Sequence, residues 1–223
     1  NGVIGTGISS NVYTADWSVN FTPLPNLASS YISVRAIDYA GNIKVSTDAV
    51  IIYKKASGPG ITDSQSGDDV WRSTNTGVYN VSFYSQSGVN LDKFQVRAST
   101  NQSEGPYAPD WTDAVVNINA QNYSVPWKVP YAFFTAMAPG RNYISVRAYD
   151  LLPSSTVLAN PFYIQKDTVA AYAVNAVSGD DNWRSSAGTL YNVHFYDDLS
   201  GLSTAQYRVS SAPAGGGADI IGW

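Results

Sequence analysis

The strongest constraint on this chain is an internal repeat with a period of 112 residues. Residues 67–84 read GDDVWRSTNTGVYNVSFY and residues 179–196 read GDDNWRSSAGTLYNVHFY, so that 11 of 18 positions are identical. Residues 31–38 (YISVRAID) and 143–150 (YISVRAYD) recur at the same spacing. Self-similarity at a fixed period is the signature of supersecondary units stacked along a chain. The chain is therefore predicted to consist of units of about 112 residues.

The order of the two motifs gives the phase of the repeat. If the GDD-x-WR block opens a unit and the YISVRA block closes one, residues 58–169 form one complete unit. Residues 1–57 then match the second half of a unit, and residues 170–223 match the first half. Either the sequence is a crop of a longer array, or half-units of different subunits complete each other head to tail, which is a contact that does not close. The mass of the denatured protein distinguishes these two explanations.

Alternating runs of residues in the complete unit predict β-strands. Apolar residues recur at every second position over residues 79–84, 94–99 and 144–149, which is the period of a strand with one buried face. Six or seven short strands without a helical period predict an all-β fold of tandem antiparallel β-sandwiches. The further strands are expected near residues 113–118, 122–129 and 156–166.

Charge and composition exclude several classes of protein. The chain has 13 basic and 17 acidic residues and a net charge of −4, and its basic residues are scattered. Binding to nucleic acid or to an anionic membrane surface requires clustered Lys and Arg, so neither partner is predicted. The sequence has no run of apolar residues long enough to insert into a membrane. It also has no cysteine, which excludes disulfides and thiolate metal sites.

The repeated motifs resemble those of a known class of domain. The closing strand Tyr-Ile-Ser-Val-Arg-Ala-x-Asp, followed in its first copy by residues 39–42 (YAGN), and the opening GDD-x-WR block resemble bacterial immunoglobulin-like repeats. These repeats are related in fold to fibronectin type III and cadherin modules. The resemblance implies an extracellular or cell-surface location in a large fibre or surface protein. It also implies neighbouring repeats or copies of the chain as partners. The second copy departs from the pattern, since residues 151–153 (LLP) follow Asp150.

Paired carboxylates at the opening of each unit are weak candidates for Ca²⁺ binding. Asp68 and Asp69 recur as Asp180 and Asp181, and Ca²⁺ prefers several carboxylate or carbonyl oxygens. The alternative is a polar turn in which the aspartates bind their own backbone. Adjacent residues on a strand point to opposite faces, so the pair can chelate only from a loop. No other cofactor is predicted.

A tryptophan and an arginine follow each acidic pair. Trp71 and Arg72 recur as Trp183 and Arg184, and both residue types are enriched where proteins make energetically important contacts. They are therefore candidates for an interface between units or subunits. The alternative is that tryptophan closes the end of the core while arginine pairs with the neighbouring aspartates. Both interpretations make the block architectural.

Tyrosines predicted on outward faces suggest a second class of function. Sugar rings stack on aromatic side chains, so Tyr84, Tyr149 and Tyr196 favour a glycan-binding module or an adhesin stalk as the alternative. Four N-x-Ser/Thr sequons are candidates for N-glycosylation. Their asparagines are Asn20, Asn80, Asn101 and Asn122.

The pattern does not favour an enzyme. His194 is the single histidine, and it lies on the polar face of its predicted strand where the other copy has Ser82. Nucleophilic catalysis by serine or cysteine needs an adjacent base. We therefore expect a spacer rod or filament building block in an extracellular fibre or surface protein, formed in part by head-to-tail completion of half-units.

Overall fold

The computed structural model describes residues 2–86, 88–177, 182–187 and 190–223. The chain is mostly β. Residues 2–57 contribute one antiparallel hairpin, β1 (Ala28–Ile37) with β2 (Ile43–Lys54). Residues 170–223 contribute two short pairs of strands, β11 (Tyr172–Asn175) with β12 (Val193–Tyr196) and β13 (Val209–Ser210) with β14 (Asp219–Ile221), and a 3₁₀ turn at Pro213–Gly215.

Two sheets form the central unit, residues 58–169. The larger sheet has the strand order β4-β10-β9-β6-β7 and the smaller has the order β3-β5-β8. Side chains of both sheets meet in one apolar core, which fits a β-sandwich. The elements of this unit are β3 (Gly60–Asp63), β4 (Asp68–Arg72), β5 (Val81–Tyr84), β6 (Leu91–Ser99), β7 (Thr112–Val115), β8 (Asn122–Tyr123), α1 (Tyr131–Ala136), β9 (Gly140–Asp150) and β10 (Ser155–Lys166).

The core of the central unit is built from the alternating positions that the sequence predicts. On β6 and β9 the alternate apolar residues are 0% exposed, and those around β5 are 1% exposed. Aromatic rings fill the space between the sheets, with Phe83 stacked on Phe94 at a centroid distance of 4.2 Å and Tyr79 on Phe162 at 4.5 Å. The predicted strands at these three places are confirmed. The alternating core residues are Tyr79, Val81, Phe83, Phe94, Val96, Ala98, Ile144, Val146 and Ala148.

Two features of the central unit differ from the expectation. The GDD-x-WR block forms strand β4, which runs parallel to β10, so the larger sheet is not purely antiparallel. Helix α1 was not predicted; it buries Phe133 and Phe134 against the core. Lys166 stabilises the end of this helix, since its Nζ donates to the carbonyl oxygens of Thr135 at 2.8 Å and Met137 at 2.7 Å.

The hairpin of residues 2–57 pairs in the register of the β9–β10 hairpin. Ile32 pairs with Val50, while Ile144 pairs with Phe162, and both partners lie 112 residues further on. Each hairpin contains an irregularity at the same place, where Asp48 has φ 49° and Asn160 has φ 48°. The amide of each of these residues donates to a serine hydroxyl, namely Ser33 Oγ at 3.0 Å and Ser145 Oγ at 3.2 Å.

The first strand pair of residues 170–223 matches the β3–β5 pair in the same way. Ala173 pairs with Phe195 in β11–β12, while Ile61 pairs with Phe83 in β3–β5. The next backbone hydrogen bond also recurs, since the amide of Ala176 donates to the Asn192 carbonyl oxygen at 3.0 Å and the amide of Ser64 to that of Asn80 at 3.1 Å. Similar local sequence therefore produces the same strand pairing in both places.

The connections on either side of the central unit make specific contacts. Lys55 forms an ion pair with Asp150, and the side chains are 6% and 1% exposed. On the other side, Asp167 Oδ2 accepts a hydrogen bond from the amide of Ser200 at 3.2 Å. Among the described residues, no helix is long and apolar enough to cross a membrane.

Candidate functional site

Strand β12 carries an apolar face that is open to solvent. Val193 is 41% exposed and Phe195 is 39% exposed, whereas Val81 and Phe83, the matching residues of β5, are each 1% exposed. The pairing with β11 is the same as in the central unit, so the exposure does not arise from a different local fold. What β12 lacks is the opposing sheet that covers β5.

The hairpin β1–β2 carries a second open apolar face. Ile32 and Val34 are half-buried, and Val50 is 43% exposed although its counterpart Phe162 is 2% exposed. A groove of about 600 Å³ lies beside these residues and is lined by Trp17, Val50 and Ile52. Contiguous exposed apolar surface commonly marks a site of contact with another protein surface.

The GDD-x-WR block of the central unit is joined to the core by a buried carboxylate. Asp68 is 7% exposed and accepts two hydrogen bonds from Arg72, with Nε to Oδ2 at 2.9 Å and Nη2 to Oδ1 at 3.1 Å. The Tyr79 hydroxyl donates to Asp68 Oδ2 at 3.3 Å. This hydrogen bonding raises the pKa of the Arg72 guanidinium. Burial raises the pKa of the Tyr79 phenol, and the Asp68 carboxylate raises it further.

The raised pKa of Tyr79 predicts a loss of stability in strong alkali. Above about pH 10 a tyrosine ionises in the unfolded chain, while Tyr79 in the folded chain keeps its proton. The folded state then binds more protons, so its contribution to stability is constant below about pH 10 and falls as the pH rises further. Tyr79→Phe should remove this part of the slope in urea-unfolding experiments between pH 8 and pH 11. Tyr53→Phe, at an exposed position of β2, is the matched control. Equal slopes in the wild type and Tyr79→Phe would contradict the prediction.

The candidate calcium ligands do not converge where the structure describes them. Asp68 points to the core side of β4 and binds Arg72, whereas Asp69 is exposed and accepts a hydrogen bond from the Tyr163 hydroxyl. Asp180 and Asp181 lie outside the described residues. Calcium binding stays a prediction; it is tested by comparing melting temperatures with and without a chelator, and an unchanged value would remove it.

The tryptophans and arginines of the two blocks lie in different surroundings. Trp71 is half-buried beside β10 and is not part of the core cluster, so it does not close the end of the core. Arg72 pairs with Asp68. Trp183 and Arg184 are both exposed. An interface role for these four residues stays a prediction.

An array of cations and aromatic rings covers the outer face of the larger sheet. The Arg97 guanidinium lies 3.5 Å from the Tyr107 ring centroid and 4.4 Å from that of Trp111, and Arg147 lies 4.3 Å from Trp111 on the same ring. Arg147 Nε also donates to Gln95 Oε1 at 3.0 Å. Sequence reasoning missed this array, although Arg97 and Arg147 occupy the polar positions of strands that it had predicted.

The side chains proposed for glycans are accessible to different degrees. Tyr84 and Tyr196 are exposed, but Tyr149 is half-buried beneath Lys93 and Arg147. All four sequon asparagines are exposed, which permits modification without demonstrating it. They are Asn20, Asn80, Asn101 and Asn122.

His194 lies exposed on β12, and its ring is stacked with that of Tyr196 at a centroid distance of 6.2 Å. No protein-family model matches the chain, and no curated protein sequence matches it. The two open apolar faces, the buried Asp68–Arg72 pair and the cation–aromatic array are therefore the features from which a function is argued.

Proposed function

We propose that this chain is a structural segment of an extracellular bacterial fibre or surface protein, in which immunoglobulin-like sandwiches in tandem act as a spacer rod or filament building block. One observation carries the proposal. The open faces of β12 and of the β1–β2 hairpin match, position by position, faces that are buried in the central unit. Repeat units of this kind gain stability from contact with their neighbours.

The architecture of the central unit supports the immunoglobulin-like class. Two sheets of short strands enclose one core within 58–169, and connections between neighbouring strands cross from one sheet to the other, as from β5 to β6. Sandwiches of this size and strand number serve widely as modules of cell-surface proteins. Their faces carry little chemistry of their own, which agrees with an architectural role.

The contact between Lys55 and Asp150 supports a stiff connection rather than a flexible one. Lys55 Nζ also donates to the Ser57 carbonyl oxygen at 2.8 Å, and Asp150 Oδ1 accepts from the amides of Leu152 at 2.9 Å and Ser154 at 3.2 Å. The linker at Gly58 runs so close to β10 that an added Cβ would lie 2.3 Å from the Ser155 carbonyl carbon. Such a short linker, held at several points, restricts the motion of one unit against the next.

Removal of Lys55 is expected to loosen this connection. Lys55→Ala leaves the buried Asp150 carboxylate without its cation, and breaking a buried pair on one side is strongly destabilising. We expect proteolytic cleavage within residues 55–59 to accelerate by about tenfold or more. Lys44→Ala, at an exposed position of β2, is the control. The prediction fails if cleavage of the two variants proceeds at the same rate.

Small-angle scattering of tandem copies of residues 58–169 tests the proposed function. A semi-rigid rod predicts that the maximum dimension increases by a constant length with each added unit. A flexible string of units predicts a weaker increase, close to the square root of their number. Compact particles, or a flexible string, would overturn the spacer-rod proposal.

A glycan-binding module of an adhesin is the second candidate, and the exposed rings of Tyr84 and Tyr196 favour it. Carbohydrate rings pack on such surfaces. A glycan array probed with the whole chain distinguishes the candidates, because a purely structural rod binds no sugar. Binding that is lost in Tyr84→Ala, with the fold retained, would support the adhesin.

A further inference from the structure

We infer that residues 170–223 of one copy bind residues 2–57 of a second copy, and that they do so in the single register in which Arg35 of one copy lies over Trp223 of the other. The inference rests on the proposed function and specifies the partner and the contact. The central unit supplies the template for it, since both segments reproduce strand registers of that unit.

The two apolar faces are complementary halves of one core. In the central unit, Trp127 Nε1 donates to the Val81 carbonyl oxygen at 2.9 Å, and its ring lies 6.1 Å from that of Phe162. The sequence match places Trp17 at the position of Trp127, and Val193 at that of Val81. Trp17 already lines the open groove of its own segment. A strand with the face of β12 is the surface that this groove lacks.

The outer face gives a second, independent indication of register. The motif FQVRAS of residues 94–99 recurs as AQYRVS in residues 205–210, and Arg208 lies 5.7 Å from the Trp223 ring centroid, as Arg97 lies 4.4 Å from Trp111. The C-terminal segment therefore holds one arginine and the tryptophan of the array. The second arginine of the array, Arg147 in the central unit, has its counterpart in the other segment.

That counterpart is Arg35, which lies 112 residues before Arg147 in the same YISVRA motif. In the central unit, Arg147 pairs across the strands with Gln95. Gln206 of AQYRVS occupies the matching place beside Arg208. Docking of a second copy thus rebuilds the array from Arg208, Trp223 and Gln206 of one copy and Arg35 of the other.

The charges of the two segments favour contact between unlike ends. Residues 1–57 carry four basic and three acidic residues, a net charge of +1, whereas residues 170–223 carry two basic and five acidic residues, a net charge of −3. Opposite charge favours encounter of the two different segments, and like charge disfavours contact between two C-terminal segments. A head-to-tail contact follows, which extends into a chain of copies unless it closes into a ring.

Introduced thiols test this register in the whole chain, because it contains no cysteine. Ser99 and Tyr143 pair across β6 and β9 in the central unit, and Ser210 and Tyr31 are their counterparts. A mixture of the single variants Tyr31→Cys and Ser210→Cys should form a disulfide-linked dimer on mild oxidation, while each variant alone stays monomeric. Val209→Cys is the control for Ser210→Cys, because neighbouring residues of a strand face opposite sides.

Removal of the cation tests the array within the same assay. Arg35→Ala in the Tyr31→Cys chain should slow cross-linking by about fivefold, since one cation–aromatic contact contributes about 1 kcal/mol. Lys44→Ala should leave the rate unchanged. Cross-linking that is absent, equal with Val209→Cys, or unaffected by Arg35→Ala would overturn the inference. If tandem copies of residues 58–169 still scatter as rods, the proposed function survives that result; if they do not, the function itself is wrong.

Discussion

Replacing Trp127 by alanine should lower the free energy of unfolding of the central unit by about 4 kcal/mol. Trp127 is 4% exposed, and its ring packs between Phe94 at a centroid distance of 4.9 Å and Tyr79 at 6.0 Å. The substitution removes this packing and leaves the Val81 carbonyl oxygen without the indole N–H that it binds at 2.9 Å. Large cavities in a close-packed core collapse only partly, which accounts for the size of the effect.

Urea unfolding followed by far-ultraviolet circular dichroism measures this loss. Trp183→Ala is the matched control, because Trp183 is fully exposed although it belongs to a repeated motif. A surface substitution of this kind should change the free energy by less than about 0.5 kcal/mol. Similar losses in the two variants would show that the central core is not where the structure places it.

The second large effect is expected for Arg72→Ala, at a cost of about 3 kcal/mol. The substitution leaves the buried Asp68 carboxylate with the Tyr79 hydroxyl at 3.3 Å and the Val70 amide at 3.3 Å as its remaining hydrogen-bond donors. Removing one partner of a buried ion pair is costly because the other charge stays out of water. Thermal and urea unfolding of the isolated chain both report the loss.

A double variant separates the loss of the pair from the loss of a contact with another unit. Replacing both partners by apolar residues, as in Asp68→Leu with Arg72→Met, should recover most of the stability, because no unpaired charge remains. If Arg72 acts mainly at an interface, Arg72→Ala should leave the stability of the isolated chain unchanged. That outcome would contradict the structural role given to the Asp68–Arg72 pair.

Local patterns predicted much of the central unit because they reflect one physical rule. Alternation at Phe94, Val96 and Ala98 identifies a strand with one buried face, and all three side chains are 0% exposed. The same rule cannot reveal β4, which pairs in parallel with β10 at the edge of the larger sheet. Its pairing depends on a partner strand about 95 residues away along the chain, and local sequence contains no record of that partner.

Helix α1 and the outer array were missed for different reasons. A helix of 6 residues is too short for a 3.6-residue period to be recognised, and tertiary contacts of Phe133 and Lys166 hold it in place. The array brings Arg97 and Arg147 onto the two faces of one aromatic neighbourhood around Trp111. Only the pairing of β6 with β9 places these arginines side by side.

The open faces were the least predictable part of the candidate site. Val193 and Phe195 have the sequence pattern of core residues, and in the central unit the same pattern is buried. Whether a strand of this kind is covered depends on residues supplied elsewhere, by the same polypeptide or by another copy. The structure shows the two faces separately, and their complementarity is inferred from the central unit.

Hydrogen exchange in an extended chain tests that complementarity most directly. A second copy of residues 1–57 joined after Trp223 should cover the face of β12. The account predicts that the amides of Val193–Tyr196 then exchange about as slowly as those of Val81–Tyr84, although they exchange quickly in the original chain in dilute solution. The same extension carrying Ile32→Asp and Val34→Asp should give no protection. Fast exchange of β12 in both extended chains would contradict the claim that the flanking segments are halves of one unit.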